Sequence, residues 1–398
     1  MKLLEAYSCN CSVDINHKPH ILENFFPLGE INKYITLQNS SGMNSKNYKF
    51  YQDVVDFIFP ILEREGIKII LLGEKDSQPL KKVIDLRGQT DLHQTTYIAK
   101  RALLHLGNDS WLCHFCAAEN IPLVALYGPT TVSNHSPFHY NQEKTIFLES
   151  HRDGNSASFA REENPRTIDY IKPEDIANAI FKLLNIDFQI PFKTLYTGSK
   201  YGNGMVRQLI PNTTGMISDP QEPVEIRMDI VFDEKILAHH LSYLTKALII
   251  TDKPISIDLL KHFKKNIQVV AYKITENDEP KFVENLIGAS LPVVLISELS
   301  EEKLKDKKLN YYEYGTINPM DILKEKTIEE LKKESNLYYR SSLLIANEKS
   351  IFASHAAIEN GIPLTVDGEY QKLIDSPKFW KDIEFYTIVK YVLTKEQS

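Results

Sequence analysis

From residue 34 the chain alternates between two hydrophobic periods. "YITLQ" (34–38) suits a short strand, "YKFYQDVVDFIFPILEREG" (48–66) carries apolar residues at helical spacing and ends at a glycine, and "IKIILLG" (67–73) is a nearly continuous apolar run. A strand without a polar face must be covered on both sides, so this succession specifies a parallel sheet between layers of helices. It continues with helix "LHQTTYIAKRA", strand "LLHLG", helix "WLCHFCAAEN", strand "PLVALYG" and, much later, helix "KPEDIANAIFKLLN", and closes near Asn185.

Between Asp187 and Val224 the periodicity fades into a stretch rich in Gly, Pro, Ser and Asn, which marks a linker. Beyond it, "RMDIVF", "ALIITD", "IQVVAYKI" and "LPVVLIS" read as strands separated by helices such as "SIDLLKHFKKN" and "PKFVENLIG". The expected fold is α/β with two Rossmann-like domains, residues 33–187 and 222–398, joined by a linker over 188–221. A length of 398 residues accommodates both. Residues 1–32 are too few for a domain and should dock as an appendage. The segment "FWKDIEFYTIVKYVLTK" (379–395) predicts a helix. "SHAAIENGIPL" echoes the earlier "CHFCAAENIPL", placing His355 where the first domain has His114 and suggesting two related folds.

A net charge of −7 supplies no bulk attraction for nucleic acid or an anionic membrane. The N-terminus lacks the apolar core of a signal peptide, and no run of eighteen or more apolar residues occurs, so a cytoplasmic protein without integral membrane association is expected. Cys9/Cys11 and Cys113/Cys116 are too sparse for a disulfide scaffold. They are reduced thiols or, alternatively, zinc ligands, although Cys-x-Cys departs from the usual knuckle spacing.

Ligands of open parallel sheets collect at the carboxyl ends of the strands. After strand 34–38, "NSSGMNSKNY" offers Ser40, Ser41 and Lys46 before a helix, hydroxyls and an ammonium suited to a diphosphate; a solvated turn with a serine cap is the alternative. In "GNDS", Ser110 would cap a helix starting at Trp111, whose positive end faces a phosphate. Asp109 would repel that phosphate and is better suited to holding the loop or a ligand hydroxyl. Gly128-Pro129 ends strand 123–127 in a sharp turn that leaves Thr130 as a donor, and a purely structural turn explains the pair equally well. His114 and His355 fit hydrogen-bonded structural roles better than proton transfer.

In this order, "NSSGMNSKNY", "DLRGQTDLHQTTYIAKRA", "GNDSWLCHFCAAENIPLVALYGPT" and "IKPEDIANAIFKLL" resemble the donor half of glycosyltransferase family 9, the heptosyltransferases, which have the GT-B fold. The resemblance covers about residues 33–187. It implies two domains facing across a cleft, a nucleotide-diphosphate sugar as donor with no other cofactor, and a glycan or other hydroxyl acceptor. It carries phosphate contact onto Ser40, Ser41, Lys46, Asp109 and Ser110, and the turn beside the donor onto Gly128, Pro129 and Thr130. Trp111 stands where the family's turn has glycine. The family's acceptor domain comes first, whereas only about thirty residues precede the donor half here, so the domain order looks exchanged, with 222–398 on the acceptor side.

By position after the strand "RMDIVF", Asp233 is the candidate base, a helix cap being its alternative role. Lys46 and the helix end at Ser110 would stabilise the leaving diphosphate without metal. A Lys46→Ala variant should then fold normally and lose turnover. Two rivals stand beside this reading: a metal-dependent transferase using Glu74 and Asp76 of "EKD", and an inactive nucleotide-sugar-binding protein.

Overall fold

The computed structural model describes residues 2–18, 21–198, 205–215, 220–319, 325–364 and 370–383. It divides into two compact units, one ending at Thr194 and the other starting at Leu195. The first contains α1 (Leu3–Cys11), β1 (Tyr34–Gln38), α2 (Tyr51–Arg64), β2 (Lys68–Leu72), β3 (Ile84–Asp85), α3 (Leu92–Lys100), β4 (His105–Asn108), α4 (Trp111–Ala118), β5 (Leu123–Tyr127), α5 (Val132–His135), β6 (Thr145–Glu149) and α6 (Pro173–Leu183). Its strands form one sheet in the order β3-β2-β1-β4-β5-β6, every neighbouring pair parallel.

All five residues of β1 and of β5 are buried, which is why their sequences lack alternation. In α2, Val54, Val55, Ile58, Ile61 and Leu62 recur at helical spacing and are buried, and the helix packs against α6. Helix α4 is made of small and apolar residues because it serves two clusters. Leu112, Phe115 and Cys116 meet Ile98 of α3 with Tyr34 and Ile70, while Cys113 and Ala117 meet Leu123, Ala125 and Tyr127. Gly107 permits this approach: a Cβ there would stand 3.0 Å from Cys113 Sγ and 2.9 Å from His105 Nε2. Cys113 and Cys116 are therefore core thiols, and burial pushes Cys113 up to about 12. The N-terminal segment lies along the α3 side, where Ile21, Phe26, Leu28 and Ile31 join the α3/α4 cluster and Glu23 pairs with Lys100 and Arg101.

His105 is wholly buried, with Nδ1 3.0 Å from Thr36 Oγ1, and its Nε2 has no partner among the described residues. Burial pushes its pKa down to about 3. The unfolded chain, with an ordinary histidine near 6.5, takes up the proton first, so stability is full above that value and falls as pH drops toward 3. Between pH 7 and pH 5 this one group should cost about 2 kcal/mol. Denaturant unfolding across that range should show the slope, and His105→Gln, which cannot be protonated there, should flatten it; an unchanged slope would count against a neutral buried imidazole.

The second unit contains β7 (Lys193–Thr197), which carries the chain across the boundary, then β8 (Val206–Leu209), β9 (Val224–Arg227), α7 (Glu234–Leu241), β10 (Ala247–Thr251), α8 (Ile257–His262), β11 (Ile267–Ile274), α9 (Pro280–Gly288), β12 (Val293–Ser297), α10 (Glu301–Asn310) and β13 (Ile317–Pro319). It continues with α11 (Glu325–Lys332), β14 (Leu337–Ser341), β15 (Leu343–Asn347), β16 (Ser350–Phe352), α12 (His355–Glu359), β17 (Gln371–Lys372) and α13 (Pro377–Asp382). The main sheet runs β13-β12-β11-β10-β9-β8-β15-β16, with β16 antiparallel at one edge. Leu237 and Leu241, Leu260, Phe282, Val283 and Leu286, and Leu304 form one core with Ile226, Ile249, Val270 and Tyr272. Helices α7 to α10 therefore share one face of the sheet, as successive right-handed crossovers in one direction require.

Several elements differ from the sequence reading. Strands β7 and β8 lie inside the stretch read as a linker, where neighbouring Gly, Pro and Asn obscured the short runs "KTLYT" and "VRQL". The strand sought in "RMDIVF" is displaced: β9 ends at Arg227, and Met228–Phe232 form turns, because Val224 and Ile226 carry the alternation that packs on the core. The echo at His355 is also partial. There a β15-β16 hairpin leads into a five-residue helix, and residues 361–364 after it are not a strand. Of the helix expected over 379–395, α13 takes the first residues, and 384–395 lie outside the described residues.

Candidate functional site

In the first sheet the strand order reverses between β1 and β4, and the chains leaving these two strands diverge to opposite sides. A cavity of about 520 Å³ opens at their carboxyl ends. The loop after β1 contributes Ser40, Ser41 and Lys46, and the β4-α4 turn contributes Asp109, Ser110 and Trp111. From the other side come Gly73 and Glu74, which follow β2, and Thr90, Asp91, Leu92 and Thr95 at the start of α3.

Lys46 is held in a short 3-10 turn, Asn44–Lys46, by its neighbour Ser45. Ser45 is buried; its amide donates to the Arg161 carbonyl at 3.0 Å and its hydroxyl to Ala160 at 2.6 Å. So anchored, Lys46 places Nζ 2.6 Å from Asp109 Oδ2. Thr130 Oγ1 donates to the same oxygen at 2.8 Å, and His114 Nε2 stands 3.7 Å from Oδ1. Burial pushes the Asp109 carboxyl up, but His114, Lys46 and Thr130 outweigh it and hold the group below the ordinary carboxylate range. Its stabilising contribution is thus present above the usual carboxylate pKa and is lost as pH falls through the lower folded value.

The Ser110 hydroxyl does not cap its own helix; it donates to Gln38 Oε1 at 2.7 Å, tying the ends of β1 and β4 together. The first-turn amides of α4 are left without a side-chain cap at the cavity wall. Ser41 is used internally: its amide donates to Asn47 Oδ1 and its hydroxyl to the Met43 carbonyl. The Ser40 hydroxyl has no partner among the described residues and lies over Gly73, 3.1 Å from where a Cβ would be. Thr130 reaches the cluster through Asp109, but Gly128 and Pro129 are not in the cavity lining.

Arg152, which the sequence reading did not single out, secures that turn. Nearly buried, it donates Nε to the Gly128 carbonyl at 2.7 Å and a guanidinium N–H to the Thr130 carbonyl, with Glu149 on its third side. Nothing local in "SHRDG" marks this role, since its acceptors lie more than twenty residues back in the chain. Glu74 lines the cavity whereas Asp76 does not, and among the described residues no three His, Cys, Asp or Glu side chains converge as a metal site.

In the second unit Asp233 caps α7, its Oδ1 accepting from the amides of Lys235 and Ile236 at 2.9 and 3.0 Å. His355 belongs to a paired network: Nδ1 lies 2.9 Å from Asp382 Oδ1, Nε2 lies 3.3 Å from Arg227, and Arg227 pairs through both nitrogens with Asp229.

With this geometry in place, comparison with known proteins gives a consistent result. Residues 17–165 match glycosyltransferase family 9 (heptosyltransferase). This part of the chain, 149 of its 398 residues, is similar to family 9. Its sequence is 38% identical over 92 residues to lipooligosaccharide heptosyltransferase 2 of Haemophilus ducreyi, covering 19% of this chain and 26% of that one. The enzyme of the same name from Haemophilus influenzae is 31% identical over 84 residues, covering 18% and 24%. The chain thus spans about a quarter of the length of these curated relatives. Among solved structures, the E. coli ADP-heptose lps heptosyltransferase II aligns at 21% identity over 46% of this chain and 51% of that one, with a TM-score of 0.32. The matched residues 17–165 include the β1 loop, the β4-α4 turn and the Gly128 turn, as well as every residue of the cavity lining. Among the described residues, no helix is long and apolar enough to cross a membrane.

Proposed function

We propose that this chain is a glycosyltransferase whose first unit binds a nucleotide-diphosphate sugar in the cavity at the β1/β4 reversal. The observation that carries this reading is the Lys46–Asp109 pair beside the uncapped start of α4. An ammonium has three N–H donors. With one committed to Asp109, Lys46 is pre-aimed and can place another on the diphosphate, where the α4 amides add positive potential. Negative charge gathers on that leaving group as the sugar bond breaks, so both contacts strengthen in the transition state. The Asp109 carboxylate has lone pairs for a sugar hydroxyl, which a phosphate oxygen could not use. Ser40, with a free hydroxyl, supplies a further phosphate contact.

Attack requires removal of the acceptor proton, and Asp233 is the proposed base. Because Asn caps a helix as well as Asp does, Asp233→Asn separates this role from capping. It should leave unfolding within about 0.5 kcal/mol of the native chain and lower turnover by roughly a hundredfold or more. Unchanged turnover would leave Asp233 as a cap alone.

The function is tested by incubating the purified chain with ADP-, UDP- and GDP-linked sugars and following release of the nucleoside diphosphate, with and without a lipooligosaccharide-type glycan. A transferase releases it with one of these donors and faster with an acceptor. Saturable binding with no release over long incubation would leave a nucleotide-sugar-binding protein, and no binding would remove the donor site.

A further inference from the structure

Two large apolar side chains stand partly in solvent on the wall of an otherwise polar cavity. Trp111 is 40% exposed and Leu92 is 49% exposed. Both occupy the first position of their helices, following the cap residues Ser110 and Asp91, and the two helices, α3 and α4, pack against each other. Their placement is fixed on each side. Asp91 closes a reciprocal cap with Gln94, its Oδ1 accepting from the Gln94 amide at 2.7 Å, and Ser110 is tied to Gln38. Apart from His114 the rest of α4 is buried, and Trp111 is the one residue of that helix in the cavity lining, where it gives a large apolar surface.

An indole with this much exposed face loses stabilisation unless something flat and apolar covers it. The polar groups restrict what that can be. The charged pair Lys46–Asp109 and the Thr130 hydroxyl gather at the β1 and β4 ends, where phosphate and sugar hydroxyls find partners. The α3 side combines Leu92 with Glu74 and Thr90, apolar contact together with a few hydrogen-bonding groups. A nucleobase has that pattern, with two apolar faces and a polar edge, whereas a sugar is polar around its whole rim.

We infer that Trp111 and Leu92 form the slot that receives the nucleobase of the donor, with Trp111 as its stacking face. This deepens the donor-site reading above and rests on it.

The chain has two tryptophans, and Trp380 is 3% exposed in the second unit, so Trp111 is a built-in fluorescent reporter. The full-length chain is titrated with ADP, UDP, GDP and inorganic pyrophosphate, following intrinsic fluorescence and, by calorimetry, affinity. At least one nucleoside diphosphate should quench the emission, while pyrophosphate binds without changing it. Trp111→Ala should weaken nucleoside diphosphate binding roughly ten- to a hundredfold and leave pyrophosphate affinity unchanged, which also shows that the site remains folded. Trp111→Phe should restore most of the affinity. If nucleoside diphosphates bind Trp111→Ala as tightly as the native chain, the slot is disproved and the donor site stands. If neither they nor pyrophosphate bind the native chain, the donor-site reading fails and the slot with it.

Discussion

Replacing Lys46 by alanine is expected to lower transfer by roughly a hundred- to a thousandfold, about 2–4 kcal/mol of lost transition-state stabilisation, with a smaller loss of donor affinity. The fold should not be indifferent to the change, as the sequence alone suggested it would be. Lys46 is not a surface charge but the partner of a carboxylate whose side chain is 4% exposed. Removing it strands Asp109 with Thr130 and a distant histidine, which should cost about 3 kcal/mol of stability. The two effects separate in a double variant. Lys46→Ala with Asp109→Asn removes the stranded charge, so most of the stability should return while transfer stays low. Lys46→Arg should recover only part of the rate, because a planar guanidinium cannot repeat the ammonium's geometry. Single-turnover rates, donor affinities and denaturant midpoints for these four proteins are sufficient. A folded Lys46→Ala chain with native rate and affinity would disprove the phosphate assignment.

The second large effect is expected at Gly128. A Cβ on this residue would lie 2.4 Å from the Ile168 amide nitrogen and 2.5 Å from its Cα. Those are backbone atoms and cannot swing aside, so Gly128→Ala must displace the turn Thr167–Tyr170. That turn is tied down on both sides of Ile168: before it the Thr167 amide donates to Glu163 Oε2 at 2.9 Å, and after it the Lys49 amide donates to Asp169 Oδ1 at 2.9 Å and the Tyr48 hydroxyl to the Ile171 carbonyl at 2.7 Å. Overpacking against such a fixed segment should cost about 3 kcal/mol. Because Tyr48 and Lys49 directly follow the Lys46 loop, donor affinity should fall as well. Denaturant unfolding checks the first effect and calorimetry the second; a native midpoint would show that the 167–170 turn yields freely.

This also explains why the Gly128-Pro129 pair was ambiguous in the sequence. Both readings of it, a turn beside the donor and a structural turn, predict glycine. What requires glycine in the structure is a segment forty residues further along the chain, and Arg152 then holds the turn from outside. Neither partner is near enough in sequence to leave a local signal. The same holds for Lys46 and Asp109: each was legible as a polar residue in a strand-end loop, but that they pair with each other depends on β1 lying beside β4.

The sequence by itself determined the kind of architecture and pointed to two of the loops that line the cavity, those after β1 and β4. Helical and strand periods report which face of each element is buried, and in the first unit every strand but the short β3 and the edge strand β6 was marked in this way, because a strand covered on both sides is apolar on both faces over much of its length. Strand-end loops rich in Ser, Lys and Asp were recognisable because local chemistry alone makes them suited to phosphate. Only the tertiary structure decided the order β3-β2-β1-β4-β5-β6, and with it the reversal that opens the cavity. It also turned Ser110 away from its own helix toward Gln38, brought Trp111 and Leu92 to the lining of one cavity, and moved the strand before Asp233 back to Val224–Arg227. Periodicity records burial but not the identity of the neighbour, and each of these facts depends on which neighbour the fold supplies.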